Sequence, residues 1–437
     1  MTDRFQVASR ANVPPFHVMD LLAASAARQR THGDMINLLA GQPMTGAPAP
    51  VREEAKRLLD SGDPLGYTPA TGILELREAI AGHHKRAHGI DVDPDEVVVT
   101  TGSSGGFLLA FLAAFEVGDR VAMARPGYPC YRNVLTALGC EVVEIPTGPE
   151  TRFQPTVEQV AAVGDIKGLV VASPANPTGT MLLPSELAAL AAYCEDEQIQ
   201  LISDEIYHGI EYSQPHLARS AWETSREAVV FSSFSKYFSM TGWRIGWMLV
   251  PDRLRRAVDV LTGNFTICPP VIAQRACLAA FDEASYAELD GHVARYAENR
   301  RILLDGLPRL GITELAPADG AFYVYADVRH LTDDTMAFTH DLLARSGVAM
   351  APGIDFDTVD GPRFVRMSFA GPGAEIEEAL ERLSTAPTAD VSPQRRPGDA
   401  PPRRPDRRAA GGGRHVRRRH RDPCPGPAPA GACRRDP

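Results

Sequence analysis

Residues 231–247 read FSSFSKYFSMTGWRIGW, setting Lys236 among small hydroxyl residues with Arg244 eight positions on. No carboxylate neighbours the lysine in sequence. Desolvation beside a cation lowers a lysine's pKa, as an amine needs if it is to condense with a carbonyl near neutral pH. Ser233, Ser235 and Arg244 are residue types that hold a phosphate. The chain has only four lysines, Lys56, Lys85, Lys167 and Lys236, so arginine does nearly all the basic surface work. Other segments carry chemistry too: SPANPTG at 173–179, DEIY at 204–207 and FVRMSFA around Arg366. In TTGSSGGFLLAF a strand passes to a helix through small residues. Backbone N–H groups of Gly102, Ser103 and Ser104 can there meet a phosphate at the helix N-terminus.

The elements that must position these residues are legible as alternation. Short apolar runs at 97–100, 120–124, 168–173, 199–203, 228–233 and 245–250 alternate with helical patterns such as PSELAALAAYCEDE, which opens at Pro184. The pattern predicts an α/β fold with a mainly parallel sheet. In such sheets ligands bind beyond the carboxyl ends of the strands, and Asn176, Asp204 and Lys236 all follow strand-like runs. After Pro270 the pattern is helical to about Leu304. Strands resume at 322–328 and 363–369, which predicts a smaller domain with the N-terminal segment packed on it.

Bulk properties exclude several classes. The chain has 437 residues, 44% hydrophobic, enough for a large core. Its longest strongly apolar run, FLLAFLAAF at 107–115, is far short of a membrane span. The first residues lack a basic segment followed by an apolar core, so a cytoplasmic protein is expected. Seven scattered cysteines show no metal-ligand spacing, and no metal site is expected. Residues 391–437 hold 13 arginines against four acidic residues; the rest of the chain holds 32 basic against 51 acidic residues. That balance argues against a nucleic-acid surface on the folded part. The Arg/Pro/Gly-rich segment 391–437 is expected to be a disordered tail, and its abrupt change of composition suggests out-of-frame translation.

The order SPANPTG, DEIY, SFSK and GWRIGW closely resembles the class I and II aminotransferases, fold-type I enzymes that use pyridoxal 5'-phosphate. The likeness runs from about Gly41 to Arg366. It implies a large domain (46–285) built on a mostly parallel seven-stranded sheet flanked by helices, a smaller α/β domain (286–390) and an N-terminal arm (1–45). By the same resemblance Lys236 is the Schiff-base lysine and proton shuttle, and Asp204 the partner of the ring nitrogen. Asn176 and Tyr207 donate to the phenolic oxygen. Tyr128 stacks on the ring. Gly102, Ser103, Ser104, Ser233, Ser235 and Arg244 cradle the phosphate, and Tyr67 reaches it across a homodimer interface.

Arg366 matches the family's strand arginine, whose planar fork grips a substrate α-carboxylate. Gly41 resembles the glycine whose backbone lies beside that carboxylate. Arg363 is left unassigned by strand alternation. The implied reaction moves an amino group from an L-amino acid to a 2-oxo acid in two half-reactions. A carbon–sulfur lyase or related synthase shares the same motifs, and a non-catalytic regulator is a remote third reading. No second cation for an acidic side chain is evident. Gln42 and Met44, in GQPMTGAP, suit a neutral or aromatic donor.

Overall fold

The computed structural model describes residues 6–385, which belong to one compact unit. Helix α1 (His17–His32) ends at Gly33, whose φ of +70° a glycine adopts freely. Strand β1 (Ile36–Asn37) follows. Proline opens α2 (Ala49–Asp60), where its missing N–H has no helical partner to lose. Helix α3 (Leu74–His88) buries Leu76, Ile80 and His84 at helical spacing. Strands and helices then alternate through β2 (Val97–Thr100), α4 (Gly102–Ala114), β3 (Arg120–Arg125), α5 (Pro129–Leu138), β4 (Glu141–Pro146), α6 (Val157–Val163), β5 (Gly168–Ala172), α7 (Pro184–Asp196), β6 (Gln200–Asp204), β7 (Val229–Ser233) and β8 (Gly246–Leu249). Beyond them lie α8 (Asp252–Phe265), α9 (Val271–Ala276), α10 (Glu283–Gly306), β9 (Tyr323–Asp327), α11 (Thr335–Ser346), β10 (Val348–Ala349), β11 (Ala351–Pro352), β12 (Phe364–Ser368) and α12 (Gly373–Thr385).

Seven strands form one sheet in the order β2-β8-β7-β6-β5-β3-β4. All its pairings are parallel except those of β8, which runs antiparallel to both β2 and β7. Val97 and Val99 enter one apolar cluster and Val98 another, because successive side chains take opposite faces and both faces are covered. This is the expected fold class. Six of the seven strands coincide with the apolar runs. The seventh, β4, lies at the sheet's edge with much of its length partly exposed, and its EVVEIP pattern is correspondingly weaker.

A second, antiparallel sheet has the order β11-β12-β9, and β1 pairs in parallel with β10. The β1–β10 pair stitches the N-terminal segment to the C-terminal part of the chain. The expected division at 285/286 falls inside α10, which continues unbroken to Gly306. Among the described residues no helix is long and apolar enough to cross a membrane. The segment 391–437 lies outside the described residues.

Candidate active site

A cavity of about 310 Å³ opens at the carboxyl ends of β5 and β6 and is closed by residues from α1, the segment after β1, and β12. It brings together Gly41, Ser103, Ser104, Tyr128, Asn176, Asp204, Tyr207, Ser235, Lys236, Arg244 and Arg366. Lys236 lies in the connection from β7 to β8. Its Nζ donates to the Gly41 carbonyl at 2.6 Å and stands 5.4 Å from the centre of the Tyr207 ring. Burial lowers its pKa to about 8; Arg366 and Arg244 add repulsion, and Asp204 opposes the shift.

Asp204, the last residue of β6, is only 2% exposed. It accepts hydrogen bonds from the Tyr131 hydroxyl and from the Ile206 N–H. Burial pushes its pKa up to about 6 against those bonds and Lys236. The Tyr207 and Tyr323 hydroxyls share a hydrogen bond at 2.7 Å. Burial holds the Tyr207 phenol well above its ordinary pKa.

Arg366 is also 2% exposed. It donates from Nη1 to Asn176 Oδ1 at 2.9 Å and from Nη2 to the Leu39 carbonyl at 2.7 Å. The rings of Tyr323 and Phe356 lie 4.5 Å and 4.9 Å from its guanidinium carbon. Among the described residues no carboxylate pairs with it, and its buried Nε has no hydrogen-bond partner. A buried guanidinium held only by neutral groups suits a carboxylate. A Cβ at Gly41 would come within 2.9 Å of Tyr323 Oη and 3.7 Å of both Arg366 Nη atoms, so only glycine lets the backbone pass so near.

The residues expected to hold a phosphate gather where β2 turns into α4. Ser103 and Ser104 sit in that helix's first turn, which has no side-chain cap. Gly102 does not line the cavity itself. A Cβ there would fall 2.5 Å from Arg244 Nη2, so the guanidinium lies directly on this glycine. Arg244 Nη1 donates to the Thr241 carbonyl, and among the described residues no acid pairs with it. Bare helix N–H groups beside an unpaired guanidinium suit a dianion.

Besides Gly102, two expected residues lie outside the cavity's lining, and several site residues are new. Ser233 closes β7 with its hydroxyl turned inward, donating to the Ile245 carbonyl and accepting the Ser235 N–H, so it shapes the lysine turn instead of lining the cavity. Tyr67 stands 82% exposed between α2 and α3, outside this chain's cavity. Gln42 lines the cavity while Met44 does not, and Arg363 pairs with Asp327 and Asp360. Sequence reasoning missed Tyr131, Tyr323 and the α1 side Phe16, Val18, Met19 and Leu22. The spacing of Tyr131 from Tyr128, the N-cap of α5, is the one available signal for the first of these.

The profile of the family Aminotransferase class I and II matches residues 33–383. The chain is 63% identical to the valine–pyruvate aminotransferase of Mycobacterium tuberculosis, over 88% of this chain and 99% of that protein. The crystal structure of an aminotransferase from Mycobacterium tuberculosis superposes with a TM-score of 0.86 at 63% identity, covering 88% of this chain and 99% of that one. The chain belongs to the class I and II aminotransferases. More distantly, it is 36% identical to the aspartate/prephenate aminotransferase of Thermus thermophilus, over 83% of this chain and 93% of that protein. Aminotransferases of this fold depend on pyridoxal phosphate, and the residues present fit that group. An amine lowered by burial, a buried carboxylate and an acid-free guanidinium at a helix N-terminus share one cavity.

The residue after Asp204 has a different setting. Glu205 accepts from the Ser203 hydroxyl and the Ala221 N–H and lies 3.5 Å from His208 Nδ1. His208 Nδ1 stands 3.3 Å from His88 Nε2, and the indole N–H of Trp247 donates to His84 Nε2 at 3.0 Å. Burial pushes Glu205 up to about 8, His88 down to about 4 and His83 down to about 3, and holds His84 and His208 well below their ordinary value.

Proposed function

We propose that this aminotransferase takes valine as amino donor and pyruvate as acceptor, the pair in the name of its relative at 63% identity. The observation that carries the donor class is the cavity's wall. Its only acid is Asp204, and α1 contributes Phe16, Val18, Met19 and Leu22, an apolar surface suited to an aliphatic side chain. The cations in the cavity have other work: Arg366 takes the α-carboxylate and Arg244, with Ser103, Ser104 and Ser235, takes the phosphate.

Pyridoxal phosphate supplies the aldehyde that joins the amine and the ring that withdraws electrons from the substrate's α-carbon. Lys236 is the Schiff-base residue. With a pKa near 8 a useful fraction of its amine is neutral at pH 7, so it can take the proton from the substrate Cα and return it. The Asp204 carboxylate would hold a proton on the ring nitrogen, and that pairing would supply the counter-charge its burial otherwise lacks. Asn176 and Tyr207 would donate to the phenolic oxygen, Tyr128 would cover the ring, and Gly41 would give the carboxylate room. The enzyme works as a cytoplasmic homodimer in which the exposed Tyr67 completes the partner's phosphate site.

The test is the absorbance of the pyridoxal phosphate-loaded enzyme mixed with single L-amino acids and no 2-oxo acid. Valine is expected to convert the cofactor to its amine form, and pyruvate to reverse this with release of alanine. Faster conversion by aspartate or glutamate would overturn the donor class. Pyruvate and ammonia accumulating from an amino acid alone would mark a lyase.

A further inference from the structure

Helix α1 supplies the apolar wall, yet little of it is fixed by packing. Of its 16 residues only Val18, Leu21 and Ser25 are buried. Its N-cap, Phe16, offers no side-chain hydrogen bond to the first turn. The bonds come from 338 positions downstream: Asp355 accepts the His17 N–H on Oδ1 at 2.8 Å and the Val18 N–H on Oδ2 at 2.7 Å. Asp355 is 3% exposed. A carboxylate that deep is costly unless both oxygens are satisfied, and a helix N-terminus satisfies both while its dipole favours the charge. At the other end of α1, Arg28 holds the Ala344 carbonyl and Asp34, so the helix has one anchor near each end.

The neighbour of Asp355 extends the connection into the site. The Phe356 carbonyl accepts the N–H of Gly127, just before Tyr128, and its ring lies 4.9 Å from the Arg366 guanidinium carbon. Phe16 meets the Tyr128 ring edge-on at 6.4 Å. Two consecutive residues thus join the apolar wall, the tyrosine loop and the arginine.

We propose that Asp355 is a positioning residue that sets donor selectivity by holding the first turn of α1 against the substrate cavity. The inference rests on the aliphatic-donor reading above. It assigns Phe16, Val18, Met19 and Leu22 to the donor side chain and makes their placement depend on a residue that does not line the cavity.

The experiment measures half-reactions of the pyridoxal phosphate-loaded enzyme with L-valine and with L-alanine, in wild type, Asp355→Ala and His17→Pro. Proline suits the first position of a helix and lacks the N–H that Asp355 accepts, so the second variant cuts one bond from the opposite side. Contacts of one or two methyl groups with an apolar wall are worth about tenfold or more in kcat/KM. In Asp355→Ala, kcat/KM for valine is expected to fall about tenfold, mainly through KM, with alanine changed less than about threefold. His17→Pro should shift the ratio the same way by less, and hydrogen exchange over residues 16–24 should quicken in both.

The wild-type enzyme alone decides the donor reading, by its valine rate against its aspartate rate. If valine is preferred and both variants keep the wild-type valine-to-alanine ratio, the inference is overturned and the donor reading survives. Faster exchange without a change of ratio overturns it equally, because α1 would then dock without reading the substrate. If Asp355→Ala fails to fold, His17→Pro decides alone.

Discussion

Asp204 and Glu205 are consecutive, both 2% exposed, and both pushed above the ordinary carboxylate range by burial, yet they serve opposite surroundings. Asp204 points into a cavity with three cations, where ionisation is useful and a charged ligand can balance it. Glu205 sits among imidazoles that burial keeps neutral, and at a pKa of about 8 it is itself largely protonated at pH 7. Burial is common to both; the nearby cations and the ligand decide whether a carboxyl group acts as a charge or as a neutral hydrogen-bonding group.

The contrast can be broken by substitution. Lys236→Ala should abolish turnover while leaving a folded protein, checked by steady-state assay and circular dichroism; residual turnover at wild-type rate would remove Lys236 from the chemistry. Asp204→Asn should lower the half-reaction rate by about 10³-fold, the scale of a lost charge aimed at the reacting system. Its melting temperature should hold or rise, since a buried charge is gone. Arg366→Lys keeps the charge but loses the planar fork, and should raise KM for every donor by about tenfold or more with a smaller change in kcat.

On the Glu205 side the effects belong to stability. His88 and His83 bind protons more tightly in the unfolded chain than in the folded one. Stability present above pH 6.5 is therefore lost as pH falls towards about 4 for His88 and about 3 for His83. His88 alone contributes on the order of 3 kcal/mol to that loss. Thermal melts from pH 7 down to pH 4 measure it, and a flat profile would contradict the buried neutral cluster. Glu205 has the opposite sign: its stabilisation is present below pH 4.5 and lost as pH rises through about 8. Glu205→Gln mimics the protonated acid, so activity should stay within about twofold and stability at pH 5 within about 1 kcal/mol. The variant should gain on wild type as pH rises from 5 to 9.

The cofactor side of the cavity was legible because its residues sit in short local motifs at strand ends. Asn176, Asp204 and Lys236 each follow a strand, and a parallel sheet gathers those ends. The substrate side was legible only in part, at Gly41, Gln42 and Arg366. Phe16, Gln42, Tyr323 and Arg366 come from separate stretches, and only Gln42 and Arg366 carry a recognisable context. Tyr131 escaped notice because its role depends on the direction in which α5 leaves the sheet. Ser233 shows the converse limit: its spacing to Lys236 suited a phosphate ligand, but as the last residue of β7 its hydroxyl turns to the backbone of the turn it supports. The fold class was read from alternation and resemblance together. The edge strand β4 was missed because most of its residues are only partly buried and its two glutamates break the apolar run.

In the seven-stranded sheet the one antiparallel strand, β8, also decides which parts of the site share a support. Because β8 returns directly alongside β7, Lys236 and Arg244 ride on one hairpin tip, with Ser233 paired to Gly246 across its base. A Cβ on Gly246 would touch the Ser232 carbonyl and the Ser103 N–H, so the same hairpin is wedged against the start of α4. The Lys236 amine and the Arg244 guanidinium therefore hang from the same turn, which rests on the start of α4. The wall residues Phe16, Val18, Met19 and Leu22 stand more than 200 positions earlier in the chain, so a donor change written there leaves that hairpin's sequence intact.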